Sequence, residues 1–387
     1  MDRKELHPVG KEPEILSTIA CNLDADILSA AFPLLEEGRV EAIEWSFDTL
    51  YWAAQVPYWF TELLLAYSQQ NRLVGHGVFF SLLSGKWTKE QQHWLEQLKQ
   101  LASQYSFDQI TEHFGFFTGQ NFHSGAPLHV PYTSATLRIG QDRLSRIYEA
   151  CQCPVGLENL AFSYSLDEVK QHGEFLDKLV APVNGFLILD LHNLYCQLHN
   201  FVISYEDLIT LYPLERVREI HISGGSWEAS VLEPEKKIRR DTHDDAVPEE
   251  VFQLLALTIP KCPNLRYVVL EQLGNGLKTE SSRIRFRQDF LKMEALVQKS
   301  RSSLSRDVDN LFLPVQPLQK GPAVEDDMLH NQQLQLSHIL ETAPSYEEAR
   351  RLLLTSSLAG SDWKIESWAP HMLETAVSIA QKWKKQS

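Results

Sequence analysis

Six short apolar runs in the middle of the chain each end on a side chain able to bind a metal. They are LVGHG at His76, ITEHF at His113, VGLEN at Glu158, LILDLHN at Asp190, REIHISG at His221 and YVVLEQ at Glu271. Successive groups are 37, 45, 32, 31 and 50 residues apart. Each interval holds about one strand, one helix and two loops. That is the repeat of a (β/α)8 barrel, in which active-site groups gather at the C-terminal ends of the strands. The expected class is therefore α/β, a TIM barrel with a metal-binding face.

The rest of the strand pattern completes the count. Runs rich in Val, Ile, Leu and Phe fall at 15–23, 42–47, 73–80, 109–116, 155–162, 185–191, 217–223 and 265–272, as a parallel sheet buried on both faces requires. Between them, residues 88–105, 134–151, 165–181 and 248–261 carry apolar side chains at three- and four-residue intervals, the signature of surface helices. Thr88, Ser134 and Ser165 are expected to cap three of them.

The chain has 387 residues, enough for a barrel of roughly 250 and an appendage. After about residue 300 the pattern changes to a polar break, RSSLSRD, a Pro-bearing stretch, LFLPVQPLQKGPA, and three helical segments. Residues 1–300 are expected to form the catalytic barrel. Residues 301–387 are expected to form a linker and a small helical domain that packs on the barrel or grips a peptide or protein partner.

A net charge of -15 disfavours capture of a nucleic-acid backbone, which needs a local excess of Lys and Arg. The N-terminus MDRKELHPVGKEPE has no apolar core, and no apolar stretch is long enough to span a bilayer. Five scattered cysteines without paired CxxC motifs suit a reducing compartment. The expected location is cytoplasmic, with neither nucleic acid nor membrane as partner.

Further candidate donors lie beside the strand ends. RRDTHDDAVP offers Asp241 and His243, read as a chelating pair because extended chain sends i and i+2 to one side. LILDLHNLY offers Asn193 or His192 next to Asp190. Imidazoles and carboxylates without thiolates favour iron, manganese or zinc. Eight or nine converging groups imply two or three ions, with Glu158 and Glu271 as natural bridges. The reactive residues expected are the ligands themselves, His76, His113, Glu158, Asp190, His221 and Glu271. His93, His172, His330, His338 and His371 fall in helical patterns and read as surface or core; His123 and His129, in the loop after the fourth strand, could touch substrate.

The strings HGVFFSL, TEHFGF, GLENLAFSYS, LILDLHNLYCQLHN, EIHISGG, RRDTHDDAV and VVLEQLGN resemble, in order and spacing, the DUF692 proteins, or multinuclear non-haem iron-dependent oxidative enzymes. These are relatives of the methanobactin-biosynthesis oxidase. The resemblance implies a xylose-isomerase-like barrel holding two or three iron ions in mixed ferrous and ferric states. It implies O2-dependent modification of a ribosomally made precursor peptide, at cysteine or at Asp or Asn, often with a separate leader-binding partner protein. It implies ligands at His76, His113, Glu158, Asp190, Asn193, His221, Asp241, His243 and Glu271, with Asn159 orienting Glu158 and with His192 and Asn200 nearby. The alternative on the same barrel is a zinc or manganese enzyme like endonuclease IV or a sugar isomerase, the former carrying His where this chain has Asn193.

Overall fold

The structure is a computed structural model that describes residues 15–51, 55–117, 127–301, 310–318 and 321–382. Eight parallel strands, β1 (Leu16–Ala20), β2 (Ala42–Trp45), β3 (Leu73–His76), β4 (Phe107–His113), β5 (Val155–Glu158), β6 (Phe186–Asp190), β7 (Val217–Ser223) and β8 (Tyr267–Glu271), pair in sequence, and β8 returns to β1. The sheet is a closed barrel. Several strands stop short of the apolar runs that mark them. LVGHGVFF, for instance, is strand only to His76; its Phe80 is buried instead by packing on the ring of Trp94.

The helices of the barrel are α1 (Ala25–Glu36), α2 (Tyr58–Ser68), α3 (Lys89–Gln104), α4 (Ser134–Cys151), α5 (Leu166–Val180), α6 (Leu191–Phe201), α7 (Tyr205–Ile209), α8 (Glu249–Thr258) and α9 (Glu280–Arg301). Thr88 and Ser165 cap α3 and α5, each closing a reciprocal box with the residue three further on, Gln91 and Glu168. The cap of α4 is Thr133, not Ser134: the Thr133 hydroxyl accepts from the Thr136 amide, and Ser134 is already the first helical residue.

Inside the barrel the layers differ in kind. Leu16, Ala20, Ala42, Val74, Tyr267 and Val269 form an apolar cluster, and Phe312 from the C-terminal segment packs with Phe186 and Ile188. Buried polar side chains, among them Glu44, Thr111 and Glu219, also occupy the interior, beside the strand-end groups.

The C-terminal segment contributes α10 (Asp327–Thr342), α11 (Tyr346–Leu354) and α12 (Pro370–Lys382). Gln333 of α10 bonds the backbone of both Leu83 and Gly85. Trp368, just before α12, stacks on Tyr164 with ring centroids 3.7 Å apart and planes 7° from parallel. His371 Nε2 lies 3.3 Å from the Asn200 carbonyl. The buried apolar side chains of these helices belong to the same continuous cluster as those of the barrel helices.

His172 of α5 is part of that core rather than the surface. Its Nε2 accepts the Leu160 amide at 3.0 Å, and its ring meets Phe114 edge-on and lies near His129, also buried. Burial pushes the His172 pKa down to about 3, against about 6.5 in an unfolded chain. The folded state therefore binds fewer protons than the unfolded one. The contribution is present above about pH 6.5 and is lost as pH falls toward about 3. Between about pH 6.5 and about pH 4.5 the wild type should lose roughly 2 kcal/mol more stability than His172→Gln, at about 1.4 kcal/mol per pH unit. Urea unfolding of both proteins at the two pH values checks this; equal losses would contradict it.

Candidate metal centre at the strand ends

Register brings the strand-end groups together. His113 pairs with Glu158 across β4 and β5, and Asp190 with His221 across β6 and β7. Three overlapping groups have donor atoms all within 4.8 Å of one another: His76, His113 and Glu158; Glu158, Asp190 and His221; Asp190, His243 and Glu271. A fourth, Glu44, Glu219 and His221, lies deeper in the barrel.

Each imidazole of the first two groups is held by one nitrogen so that the other is presented to the carboxylates. His76 Nδ1 is 2.8 Å from the Thr111 hydroxyl, which itself donates to the Gly75 carbonyl. His113 Nδ1 is 3.1 Å from the Gly77 carbonyl. A carbonyl can only accept, so His113 Nδ1 carries the proton, and by the same chain so does His76 Nδ1. Their Nε2 atoms then face Glu158 Oε2 at 3.4 and 3.1 Å, where a cation would displace any proton held there and take the lone pair. His221 is reversed: Nε2 faces Glu44 Oε2 at 3.0 Å and Glu219 Oε1 at 3.4 Å, leaving Nδ1 toward Glu158 Oε1 at 3.7 Å and Glu271 Oε2 at 3.5 Å.

These separations have a geometric meaning. Donors about 2.1 Å from a cation lie about 3.0 Å apart in an octahedron and about 3.4 Å apart in a tetrahedron. Among the described residues, Asp190 Oδ2, Asn193 Oδ1 and His221 Nδ1 are buried without a hydrogen-bond partner, and Glu158 Oε2 and His243 Nε2 meet only other members of the cluster. Leaving such groups desolvated and unbonded is costly. A divalent or trivalent cation would satisfy them together, so the donor set fits a metal.

The electrostatics agree. Burial pushes the Asp190 carboxyl well up, helped by Asp241 and Glu158. Burial would raise Glu158 as well, but the His113 and His76 rings hold it down. Burial would lower His76, yet Glu44 and Glu158 outweigh it and push it up to about 10. Without a cation this cluster retains protons; binding one would displace them.

Several details depart from expectation. The Asp241–His243 segment is not extended: His243 has φ +51°, and the segment forms no strand. The side chains still meet, with His243 Nε2 2.8 Å from Asp241 Oδ1 and His243 Nδ1 3.3 Å from Glu271 Oε1. The turn is possible because Gly225 is bare; a Cβ there would collide with the Arg240 carbonyl and press on the His192 ring. Asn159 does not bond the Glu158 carboxylate. Its amide clasps the Asp190 backbone instead, accepting from the amide at 2.6 Å and donating to the carbonyl at 3.2 Å.

Position 193 and position 192 divide the work. Asn193 donates to the Asn159 carbonyl at 2.8 Å, which aims its unbonded Oδ1 into the site. His192 is drawn away: Arg239 Nε donates to its Nε2 at 3.0 Å, so its proton sits on Nδ1 and is given to Asp241 Oδ1 at 2.9 Å. His192 therefore orients Asp241 rather than facing the cluster. Asn200 clamps the backbone of Arg239 on both sides, at 2.9 and 3.0 Å. His123 lies outside the described residues. His129 is buried against Phe114 and does not face the cleft.

Sequence reasoning missed Glu44, Thr111 and Glu219. A signal existed, since Glu219 stands two residues before His221 on the same strand face and Glu44 interrupts a buried strand.

Above the cluster is a cleft of about 270 Å³, bordered by His113, Glu158, Asn193, Asp241 and His243 on one side and by Met372, Thr375 and Ile379 of α12 on the other. Residues 53–279 match the family described as RiPP precursor modification enzyme MbnB/TglH/ChrH. The chain belongs to this family. Among curated relatives, the UPF0276 protein of Caulobacter vibrioides is 28% identical over 181 residues, 46% of this chain and 61% of the relative. That of Paraburkholderia phytofirmans is 31% identical over 186 residues, 46% of this chain and 57% of the relative. The chain thus spans about three-fifths of the curated relatives it matches. Among solved structures, D-psicose 3-epimerase from Clostridium cellulolyticum H10 gives a TM-score of 0.46 at 12% identity, covering 74% of this chain and 99% of that one. A xylose isomerase-like TIM barrel protein from Mycobacterium smegmatis in complex with magnesium gives 0.44 at 12%, covering 72% and 97%. Neither likeness bears on the reaction. The family is one of peptide-modifying enzymes, and among the described residues no helix is long and apolar enough to cross a membrane.

Proposed function

We propose that this chain is a multinuclear iron enzyme that uses O2 to modify a cysteine, or an Asp or Asn, of a ribosomally synthesised precursor peptide. The observation that carries the reading is the convergence of unbonded buried donors on three overlapping groups at the strand ends. His76, His113 and Glu158 would hold one ion, and Glu158, Asp190 and His221 a second. Asp190, His243 and Glu271, joined by Asn193 and Asp241, would hold a third. Bound iron would supply the O2 and one-electron chemistry that these side chains lack.

The protein's own part is to position and to exclude water. The two oxygens of Glu158 face different imidazoles, as do those of Glu271, which suits both to bridging. His113, partly exposed toward the cleft, and Asn193 would border the position where the reacting side chain sits. A cleft of about 270 Å³ admits one or two side chains, so an extended peptide would lie across the face and insert one residue. Residues 301–387 are proposed as a linker and helical unit that takes part in gripping that peptide, beside or in place of a separate leader-binding protein.

Iron content tests the reading. Protein purified without oxygen and enriched in iron-57 should contain two or three irons per chain by elemental emission, with ferrous and ferric Mössbauer components. Zinc or manganese with negligible iron, persisting after reconstitution with iron, would overturn it in favour of a hydrolase or isomerase on the same barrel.

A further inference from the structure

Arg239 is a buried cation with no counterion among the described residues. It belongs to a short strand, Lys237–Arg239, that pairs with Trp227–Ala229, and only 4% of its surface is exposed. Nε is committed to His192. The guanidinium carbon lies 5.1 Å from the Trp227 ring and 5.5 Å from the Tyr195 ring. Among the described residues no carboxylate comes within 4.0 Å of it and no acceptor takes a hydrogen bond from Nη1 or Nη2. By contrast, Arg240 next to it is paired with Glu228.

Burying an unpaired charge is expensive, and the molecule has spent structure on keeping this one in place. Asn200 bonds the Arg239 amide and carbonyl, His192 holds Nε, and two aromatic faces confine the plane. The residue also borders the cleft over the metal cluster. A guanidinium with a free edge matches a carboxylate through two parallel hydrogen bonds.

We propose that Arg239 is the receptor for a carboxylate of the incoming peptide, next to the residue presented to the metals. The carboxylate is an acidic side chain or the peptide's own C-terminus. The inference rests on the peptide-substrate reading and adds to it a requirement for charge at one position.

Three blocked tripeptides serve as probes for the full-length, metal-loaded protein: acetyl-Gly-Ala-Asp-amide, acetyl-Gly-Ala-Asn-amide and acetyl-Gly-Ala-Asn with a free C-terminal carboxylate. Calorimetric titration should show the Asp amide or the free acid binding about tenfold or more tighter than the neutral Asn amide. Which of the two gains identifies the source of the carboxylate. Arg239→Gln should bring all three within about twofold of one another, and Arg239→Lys should recover part of the preference. Binding should also change the emission of Trp227, a change absent in Trp227→Phe at its half-exposed site. Equal affinities for all three probes in the wild type, no binding of any, or a preference that survives Arg239→Gln would overturn the proposal. Metal content measured on the same samples separates the two readings. Iron without charge preference removes this inference alone, and an Arg239-dependent preference without iron removes the oxidase alone.

Discussion

Glu158→Gln should strip the protein of at least one metal ion per chain while leaving it folded. Glu158 is 3% exposed and is shared by two of the three strand-end groups. Gln has nearly the same shape, but its amide is neutral and brings N–H donors to the place where the Nε2 atoms of His76 and His113 converge. A hydrogen bond from the amide to either imidazole would satisfy the apoprotein and leave no room for a cation. Affinity should fall by more than about 100-fold, beyond the range typical of changes to a ligand's outer hydrogen-bond partners. Elemental emission after purification, together with thermal unfolding in the presence and absence of a chelator, reads the effect. The wild type should lose stability to the chelator and the variant should not, since only a ligand bound to the folded state stabilises it. An unchanged metal-to-protein ratio would remove Glu158 from the centre.

Trp368→Ala should be the most destabilising single change outside the barrel. The indole is 3% exposed, stacks on Tyr164 and donates to the Trp363 carbonyl at 2.8 Å. The next residue, Ala369, gives its amide to the Tyr164 carbonyl at 2.9 Å. Removing a large buried aromatic ring costs about 3–5 kcal/mol, a loss concentrated on the junction that seats α12. Because α12 carries Met372, Thr375 and Ile379 into the cleft, peptide affinity should fall with it while bound metal remains. Deleting residues 305–387 would be a harsher version of the same experiment. It would uncover the surfaces of Leu83, Tyr164 and Phe186 that the tail now covers. Denaturant unfolding of Trp368→Ala checks the magnitude, and metal analysis checks the separation; a change under about 1 kcal/mol would mean the stacking is not what seats α12.

Much of the candidate centre was legible before the fold was known, for a local reason. A parallel strand buried on both faces is a short apolar run, and a charged or imidazole side chain at its end stands out against it. His76, His113, Glu158, Asp190, His221 and Glu271 all mark strand ends in the structure or lie within the last residues of a strand. Asp241 and His243 also stood out, although their geometry came from a turn rather than a strand. What escaped was the interior. Glu44 and Glu219 read as ordinary members of strands, and only closure of the barrel brings β2 across to face β7.

The sequence by itself determined the architecture, the functional face and the residues offered there, because strand and helix periods and the chemistry of side chains are local properties. Tertiary structure decided which nitrogen each imidazole presents, since Thr111, Gly77 and Glu44, which hold the other nitrogen, come from distant points of the chain. It also turned Asn159 to Asp190 and His192 to Asp241, left Arg239 without a counterion among the described residues, and brought α12 over the cleft. Those outcomes depend on contacts between segments tens to hundreds of residues apart, and no local pattern encodes them.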